Sequence, residues 1–255
     1  NRIHRRPYDL DAQGISLVNK AIANDLFCLY SQPIMRINGA TDSYCYELLI
    51  RMRDGDKIVP PARFISAAEK YKMGSRIDEW VINRIFYWLA ENPAHTARLG
   101  HCGLNISAES LAGNTLTTYI RGKLEQYRIP PEKICFEITE TAAVKSLELA
   151  NGNLKALKAL GCKIALDDFG TGMSSFNYLK KLDVDYLKID GAFIRNITTD
   201  PNDFAMVNAI KDVGKTMKIE TIAEYVENDA ILSLLTLIGI DYAQGYGIGK
   251  PELLC

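Results

Sequence analysis

The chain alternates short apolar runs with longer amphipathic segments, and this alternation limits the folds that it can adopt. Six runs of strand length follow one another in the second part of the chain, and the segments between them have helical spacing. The runs are His101–Ile106, Ile134–Ile138, Lys163–Leu166, Tyr186–Ile189, Lys218–Ala223 and Asp241–Tyr246. Such a pattern is typical of parallel strands joined by helices.

The beginning of the chain departs from this alternation. A helix-like segment, Leu10–Leu26, leads into two further apolar runs, Phe27–Met35 and Tyr44–Met52. About eight residues, Asn38 and Gly39 among them, separate these runs, which is too few for a crossover helix and predicts an antiparallel hairpin. Eight strands in 255 residues therefore predict an α/β fold, a modified (β/α)8 barrel of the TIM type with an antiparallel first strand.

Helical spacing is found between several of these strands. It extends over Phe64–Tyr71 and Ile77–Ala90, and a segment of helical length, Ser174–Leu182, separates the fifth strand from the sixth. We expect residues 1–25 to be a helical lead-in from an upstream linker and residues 26–255 to form the barrel, because the chain starts without methionine in a basic, polar segment.

Composition excludes some classes of partner. The formal net charge is -1, so the surface as a whole does not attract a DNA or RNA polymer. The six cysteines form no C-x-x-C pair, which favours reduced thiols and a cytoplasmic domain. No apolar run reaches the ~18 residues of a membrane span. Anchoring of the full-length protein through other segments stays open.

Polar side chains interrupt the apolar runs or stand at their carboxyl ends. In a barrel these ends meet at one opening, so side chains distant in sequence would share one cavity. Unpaired buried charges cost several kcal/mol each, which makes a packing role improbable for so many of them. The residues are Glu47, Asn105, Glu137, Asp167, Asp168, Lys188, Glu224, Glu227 and Gln244.

The chemistry of this set favours hard metal ions. No cationic partner for the carboxylates is evident in the sequence, and the adjacent Asp167 and Asp168 repel each other unless a cation lies between them. The oxygen ligands suit Mg²⁺ or Mn²⁺ better than zinc or copper. They are Glu47, Asn105, Glu137, Asp167, Asp168 and Glu224. Two such ions would suit the hydrolysis of a phosphodiester.

Lys188 has two interpretations. A lysine inside a barrel strand can form a Schiff base, or it can orient or deprotonate a catalytic water. The surrounding carboxylates favour the second, since negative charge raises the pKa of an ammonium group and suppresses its nucleophilicity.

Eight stretches of the sequence, in order and at characteristic spacing, are similar to motifs of one family. They are QPI at Gln32, YELLIR at Glu47, LNIS at Asn105, FEITET at Glu137, DDFGTGMSSF at Asp167, DYLKIDGAFI at Lys188, IAEYVE at Glu224 and QGYGIGKP at Gln244. From about Phe27 to Pro251 the chain resembles the EAL family of cyclic di-GMP phosphodiesterases. The resemblance implies a barrel with an antiparallel first strand and a two-metal hydrolase.

The resemblance also implies a role for each matching residue. Glu47, Asn105, Glu137 and Asp167 would hold the first ion, and Asp167, Asp168 and Glu224 the second. Lys188 would contact the attacking water, and Arg51 would hold a phosphate of the substrate. Glu47, Asp168, Lys188 and Glu224 are thus the expected catalytic residues; Gln32, Arg51, Asp78 and Gln244 are the expected substrate-binding residues. Glu227 would support the site.

Other residues carry alternatives. The resemblance implies that Glu140 anchors the loop that contains Gly170 and Gly172 and that activity is regulated at this loop; the alternative is that Glu140 simply begins a helix. Taken alone, Gln32, Arg51 and Gln244 would be ordinary polar residues at strand ends. Asp78 has a competing interpretation as an exposed helix residue or a salt-bridge partner of Arg76.

Three residues depart from the pattern of the family. Asp183 stands where a proline is frequent and is expected to change a loop with little consequence. Leu48 replaces the alanine of the signature triplet and is expected to change packing behind the site. Tyr225 replaces a common glycine and would narrow the pocket or stack on a guanine. No expected metal ligand is lost.

The resemblance predicts hydrolysis of cyclic di-GMP to the linear dinucleotide pGpG in bacterial signalling, with Mg²⁺ or Mn²⁺ as the two cofactor ions. The alternative is a catalytically inactive receptor of cyclic di-GMP, and a Schiff-base lyase is a third possibility. The complete ligand set favours hydrolysis. A homodimer and upstream signalling domains, such as a GGDEF-type cyclase domain, are the expected partners.

Overall fold

The computed structural model describes residues 7–39, 43–145, 147–170 and 178–255. Its strands are β1 Phe27–Arg36, β2 Tyr44–Asp54, β3 Lys57–Val59, β4 Leu99–Asn105, β5 Ile134–Thr139, β6 Lys163–Phe169, β7 Tyr186–Ile189, β8 Glu220–Ala223, β9 Tyr242–Gln244 and β10 Glu252–Leu253. Its helices are α1 Pro7–Ala23, α2 Ile65–Lys70, α3 Gly74–Glu91, α4 Pro93–Arg98, α5 Ala108–Ala112, α6 Leu116–Tyr127, α7 Glu140–Lys145, α8 Leu147–Ala159, α9 Gly191–Ile194, α10 Pro201–Met217 and α11 Asp229–Ile238.

Eight of these strands close into a barrel. The order around the barrel is β1, β9, β8, β7, β6, β5, β4 and β2, and pairing of β2 with β1 completes the ring. β1 is antiparallel to both of its neighbours, and the other pairs within the ring are parallel. The predicted barrel with an antiparallel first strand is confirmed.

The helices pack around this barrel because each has one apolar face. In α3, Ile77, Val81, Ile85 and Leu89 recur every four residues, and all are buried against the strands. α1 joins the same hydrophobic core through Val18 and Ala21, which are fully buried. None of the helices in the described ranges has the length and apolar character that crossing a membrane requires.

The segment between β6 and β7 differs from the prediction of a helix over Ser174–Leu182. Residues 174–177 lie outside the described part of the chain. The described remainder forms a single 3-10 turn, Leu179–Lys181, and Leu182 is already extended with φ -97° and ψ 132°. The apolar spacing at the end of this segment therefore belongs to the entry into β7.

The inside of the barrel is divided along its axis. In the parallel strands, side chains two residues before the polar positions form a separate apolar cluster towards the amino ends, and Ile34, two residues after Gln32 in the antiparallel β1, joins it. It contains Ile34, Cys135, Ala165, Tyr186, Ile222 and Tyr242. This layer closes the barrel at the amino ends of the parallel strands, so the polar side chains face the opening at the carboxyl ends of these strands.

Candidate active site

Lys188 is at the centre of the site. It lies in β7, it is fully buried, and its Nζ atom contacts four carboxylates. The distances are 2.6 Å to Glu137, 3.1 Å to Glu224, 3.2 Å to Glu47 and 3.2 Å to Asp167. The four carboxylates lie in β2, β5 and β6 and directly after β8, so the predicted convergence of these side chains from different strands is confirmed.

This arrangement agrees with the expectation that carboxylates surround Lys188, and it gives them a cationic partner. An ammonium group has three N–H donors, whereas four carboxylates surround Lys188. One positive charge therefore faces up to four negative ones. The cluster needs protons or further cations to be electrically balanced.

Glu47 is held by two amide side chains. Asn105 Nδ2 donates to its Oε1 atom at 2.8 Å, and Gln244 Nε2 donates to its Oε2 atom at 2.7 Å. Gln32, opposite Glu47 in the ladder between β1 and β2, accepts from Gln244 Nε2 at 3.4 Å. Because both amide nitrogens are directed at Glu47, their oxygens are free to face elsewhere. The buried Gln244 Oε1 has no hydrogen-bond partner among the described residues.

The two adjacent aspartates depend on a bulge in β6. Leu166 pairs with Leu187 and Phe169 with Ile189, so two residues of β6 stand opposite one residue of β7. Asp168 takes a left-handed backbone conformation with φ +54°. In a regular strand neighbouring side chains point to opposite faces. The bulge instead brings Asp167 and Asp168 to the same opening.

These aspartates and Glu224 form a compact trio. One carboxylate oxygen from each of Asp167, Asp168 and Glu224 lies within 4.8 Å of the other two. Asp168 is half-buried, and the pKa of its carboxyl is raised to about 6 by burial and by the negative charge of Asp167. The trio has the donors and the spacing to hold a cation.

The protonation pattern of the central cluster agrees with its excess of negative charge. Burial and neighbouring carboxylates raise the pKa of Glu224 to about 8 and that of Glu137 well above its ordinary value, although Lys188 opposes both shifts. Burial would raise the pKa of Glu47 too, but Lys188 and the amide hydrogen bonds lower it overall. For Lys188, burial is outweighed by the carboxylates, which raise the pKa of its ammonium group. Without added cations, some carboxylates of the cluster hold protons at neutral pH.

The residues fit the pair of hard cations that the family implies. The donor set consists of carboxylate and amide oxygens, with an excess of negative charge and one orphaned acceptor, Gln244 Oε1. Asp167 and Glu224 both contact Lys188 and both belong to the trio with Asp168, so the two groups of carboxylates are contiguous.

A cavity of about 440 Å³ opens above the carboxylates, within the size range of small-molecule sites. Besides Glu47, Asp167, Asp168 and Glu224, its walls contain Gln32, Arg51, Glu227 and Gln244. The guanidinium group of Arg51 lies 5.8 Å from the centre of the Tyr30 ring, and one of its nitrogens donates to the Ile50 carbonyl at 2.9 Å. Arg51 is thus a cation on the wall of an otherwise acidic cavity.

Asp78 lines a second cavity of about 250 Å³, which shares Arg51, Leu49 and Pro61 with the first. The interpretation of Asp78 as an exposed residue or a salt-bridge partner of Arg76 was wrong. Asp78 is buried, and its Oδ2 atom accepts hydrogen bonds from the backbone and hydroxyl of Ser107 at 3.0 and 2.6 Å. Burial raises the pKa of its carboxyl to about 6.

Glu140 contacts the loop after β6 and also begins a helix. The amide nitrogen of Gly170 donates to its Oε2 atom at 3.1 Å, and Glu140 is the first residue of α7. Both geometric expectations for Glu140 are met. Gly172, the other glycine of that loop, lies outside the described residues.

Gly103 is a site residue that sequence reasoning missed. It lies in β4, and a Cβ atom added there would come within 1.8 Å of Glu137 Oε1. A glycine inside a strand often marks the close approach of another group, which was the available signal. Leu48, by contrast, is buried behind the site and lines the second cavity, as expected from its packing.

Comparison with known proteins gives consistent matches. The family model of the EAL domain matches residues 17–251 of this chain. The chain is 41% identical over 239 residues to the cyclic di-GMP phosphodiesterase PdeB of Shewanella oneidensis and 38% identical over 242 residues to the cyclic di-GMP phosphodiesterase PdeF of Escherichia coli. In both cases 93% of this chain is covered, but only 28% and 31% of the two longer relatives.

Solved structures give the same result. The PaMucR phosphodiesterase in complex with c-di-GMP is 31% identical with a TM-score of 0.86, covering 94% of this chain and 97% of that one. The FimX EAL domain of Pseudomonas aeruginosa bound to c-di-GMP is 29% identical with a TM-score of 0.87, covering 94% and 96%. With a family model spanning most of its length, the chain belongs to the EAL domain family.

Proposed function

We propose that this chain hydrolyses cyclic di-GMP to the linear dinucleotide pGpG with the help of two divalent cations, Mg²⁺ or Mn²⁺. The observation that carries the proposal is the cluster of four carboxylates around one buried lysine, next to the trio with Asp168. A second support is the similarity to relatives that are named cyclic di-GMP phosphodiesterases.

The cations have a natural place in this proposal. Glu47, Asn105, Glu137 and Asp167 would hold the first, and Asp167, Asp168 and Glu224 the second. When bound, the pair supplies an acidified water and a counter-charge for a phosphodiester. A phosphodiester is an anion, so an acidic cavity would repel it without such cations.

The remaining residues of the site bind the substrate and orient a water molecule. Arg51, on the cavity wall, offers forked donors to a phosphate. Gln244 Oε1 lacks a donor, so it can accept a hydrogen bond from a water molecule above Glu47 and fix its orientation. Lys188 keeps its proton because its pKa is raised. Cations that bind the surrounding carboxylates would release one of its three N–H groups to donate to that water. A protonated amine is a poor nucleophile, which argues against the Schiff-base lyase.

In the receptor alternative, the chain binds cyclic di-GMP but does not hydrolyse it. The similarity to the FimX EAL domain bound to c-di-GMP supports binding alone. The presence of every carboxylate and amide expected of the metal site supports hydrolysis as well. We therefore keep the receptor as the second candidate.

Product analysis separates the two candidates. The protein is incubated with cyclic di-GMP and Mg²⁺, Mn²⁺ or EDTA, and the nucleotides are separated by chromatography. We expect pGpG with either metal ion and intact substrate in EDTA. The Asp167→Asn variant should lose at least about 100-fold in rate, because it removes a charge shared by both proposed ion sites.

The control is Asp212→Asn, which changes an exposed aspartate on α10 with a side-chain exposure of 74%. It should retain full activity. Intact substrate with both metal ions, together with binding of cyclic di-GMP in a calorimeter, would support the receptor and refute hydrolysis.

The chain covers a minor part of its longer relatives, so we also propose that it works as one module of a longer signalling protein. The protein MucR of Pseudomonas aeruginosa, 34% identical over 198 residues, is named a bifunctional diguanylate cyclase and cyclic di-GMP phosphodiesterase. An upstream GGDEF-type domain and a homodimer belong to this proposal. Mass measurement of the chain in solution tests the homodimer.

A further inference from the structure

Tyr225 has an unusual backbone for its residue type. It directly follows Glu224 and adopts φ +54°, in the left-handed region that residues with large side chains rarely take. Such conformations persist only where the surroundings hold them, and they concentrate at functional sites. The left-handed backbone of Tyr225 therefore points to a functional role for its side chain.

The surroundings of Tyr225 fix its ring. The Arg195 guanidinium lies over the ring at 4.2 Å from its centre. Gly191, four residues before Arg195, also lies against Tyr225, and an added Cβ there would come within 2.1 Å of Tyr225 Cδ2. One face of the ring is therefore covered by a cation, and its position depends on a glycine.

The rest of the ring borders the active-site cavity. Tyr225 lines the same cavity as Asp167, Asp168 and Arg51, and the residue is 49% exposed. A half-exposed aromatic ring on the wall of a cavity of small-molecule size is the type of surface on which nucleic bases stack. The cation over its covered face withdraws electron density, which favours stacking of an electron-rich purine on the other face.

We propose that Tyr225 is a substrate-binding residue on which one guanine of the cyclic dinucleotide stacks, on the ring face opposite Arg195. This inference rests on the proposed function, because it takes the ligand of the cavity to be a guanine dinucleotide. It assigns the recognition of a flat base to Tyr225, which is not among the proposed metal-binding or phosphate-binding residues.

The first test is the change Tyr225→Leu, which keeps a large apolar side chain on the same backbone. Loss of one base stack should raise KM for cyclic di-GMP about tenfold with little change in kcat. Tyr225→Phe keeps the ring and should restore a KM close to that of the wild type. The matched control is Tyr87→Leu, because Tyr87 is 50% exposed but lies on α3 and does not line the cavity.

A spectroscopic test reports on stacking itself. In EDTA, where no hydrolysis is expected, a cyclic dinucleotide carrying 2-aminopurine is titrated with each variant. The fluorescence should be quenched on binding to the wild type and to Tyr225→Phe, and quenching should be lost with Tyr225→Leu. If the analogue does not bind in EDTA, Asp167→Asn with Mg²⁺ serves as the background for the same variants.

Gly191→Ala tests the support of the ring without removing it. The added methyl group must displace Tyr225, so KM should rise as in Tyr225→Leu. In a Tyr225→Gly background, Gly191→Ala has no ring to displace, so it should cause no further rise in KM. An equal rise in KM in both backgrounds would refute the proposed link between Gly191 and the stacking ring.

The outcomes separate this inference from the proposed function. If the wild type hydrolyses cyclic di-GMP but Tyr225→Leu leaves KM and quenching unchanged, the stacking role is refuted and the phosphodiesterase stands. An equal fall of kcat for Tyr225→Leu and Tyr225→Phe also contradicts stacking. If the wild type neither binds nor hydrolyses the dinucleotide, the proposed function itself fails.

Discussion

At the scale of single residues, Lys188 links the stability of the barrel to the chemistry of the site. It is fully buried among four carboxylates, so each charge is tolerated only because the others are present. Removing one partner of a buried ion pair costs about 3–5 kcal/mol. The same residue that positions the carboxylates is therefore needed to keep them inside the protein.

We predict that Lys188→Met lowers the free energy of unfolding by about 3–5 kcal/mol in EDTA, because the carboxylates lose their cation. Mn²⁺ should restore part of this loss, and hydrolysis should fall at least about 100-fold. Urea unfolding with and without Mn²⁺ measures the first effect. Lys163→Met is the control: Lys163 is half-buried and donates to the Tyr186 hydroxyl at 3.0 Å, so its loss should cost about 1 kcal/mol. Equal losses for both variants would contradict the role of Lys188.

His101 makes stability depend on pH. Its ring is buried and stacks on Tyr186 at 4.9 Å, and burial together with nearby Lys163 lowers its pKa to about 3. The unfolded chain binds a proton on this histidine below about pH 6.5, whereas the folded chain does not until about pH 3. Protonation thus favours unfolding, and the contribution of His101 is lost as the pH falls through this window.

We predict that His101→Phe, which keeps a stacking ring, reduces this acid sensitivity. Between pH 6.5 and 4.5 the wild type should lose about 2 kcal/mol more unfolding free energy than the variant. Denaturant unfolding at both pH values measures the difference, in which the effects of other groups largely cancel. Parallel pH profiles of the unfolding free energy for the wild type and the variant would show that His101 binds a proton as readily in the folded chain as in the unfolded one, which contradicts the prediction.

At the scale of elements, the site depends on irregular strands. The bulge in β6 turns two sequence neighbours to one opening, and Gly103 in β4 leaves room for the carboxylate of Glu137. Strand ends that converge were predictable from period and length. The bulge was not, because it is set by pairing with β7 and by the left-handed backbone of Asp168.

We predict that Gly103→Ala displaces Glu137 from Lys188. The methyl group would overlap Glu137 Oε1, so the rate of hydrolysis should fall about 100-fold, with a loss of unfolding free energy of about 1–3 kcal/mol. Gly152→Ala is the control, because an added Cβ there meets nothing within 4 Å on helix α8. It should leave activity unchanged and stabilise the helix by about 0.5–1 kcal/mol. Full activity of Gly103→Ala would contradict the tight approach of the two strands.

At the scale of the whole molecule, the barrel itself could be predicted and parts of its site could not. The eight apolar runs and the short first connection were sufficient for the closed ring and the reversed β1. Polar residues at the strand ends indicated which side chains meet. The sequence also indicated that carboxylates surround Lys188, but its four direct contacts required coordinates, because sequence gives the direction of a side chain in a strand and not the reach of its terminal atom.

Asp78 illustrates a second limit of sequence patterns. It lies three and four residues before Val81 and Ile82, so its spacing places it on the buried side of α3, where a carboxylate needs a hydrogen-bond donor. Ser107, from the turn after β4, supplies two such hydrogen bonds. Periodicity within the helix indicates which side of the helix Asp78 occupies, but it does not identify this partner from another element.

The most direct test of the central claim, that carboxylates from several strand ends gather around a working pair of cations, is the rate of cyclic di-GMP hydrolysis measured against the number of Mn²⁺ ions bound per chain. Equilibrium dialysis gives the number bound, and chromatography gives the rate. We expect the rate to rise only as binding passes from one ion towards two, and Asp167→Asn to bind fewer than two. Full activity with a single ion, or hydrolysis in EDTA, would contradict the account.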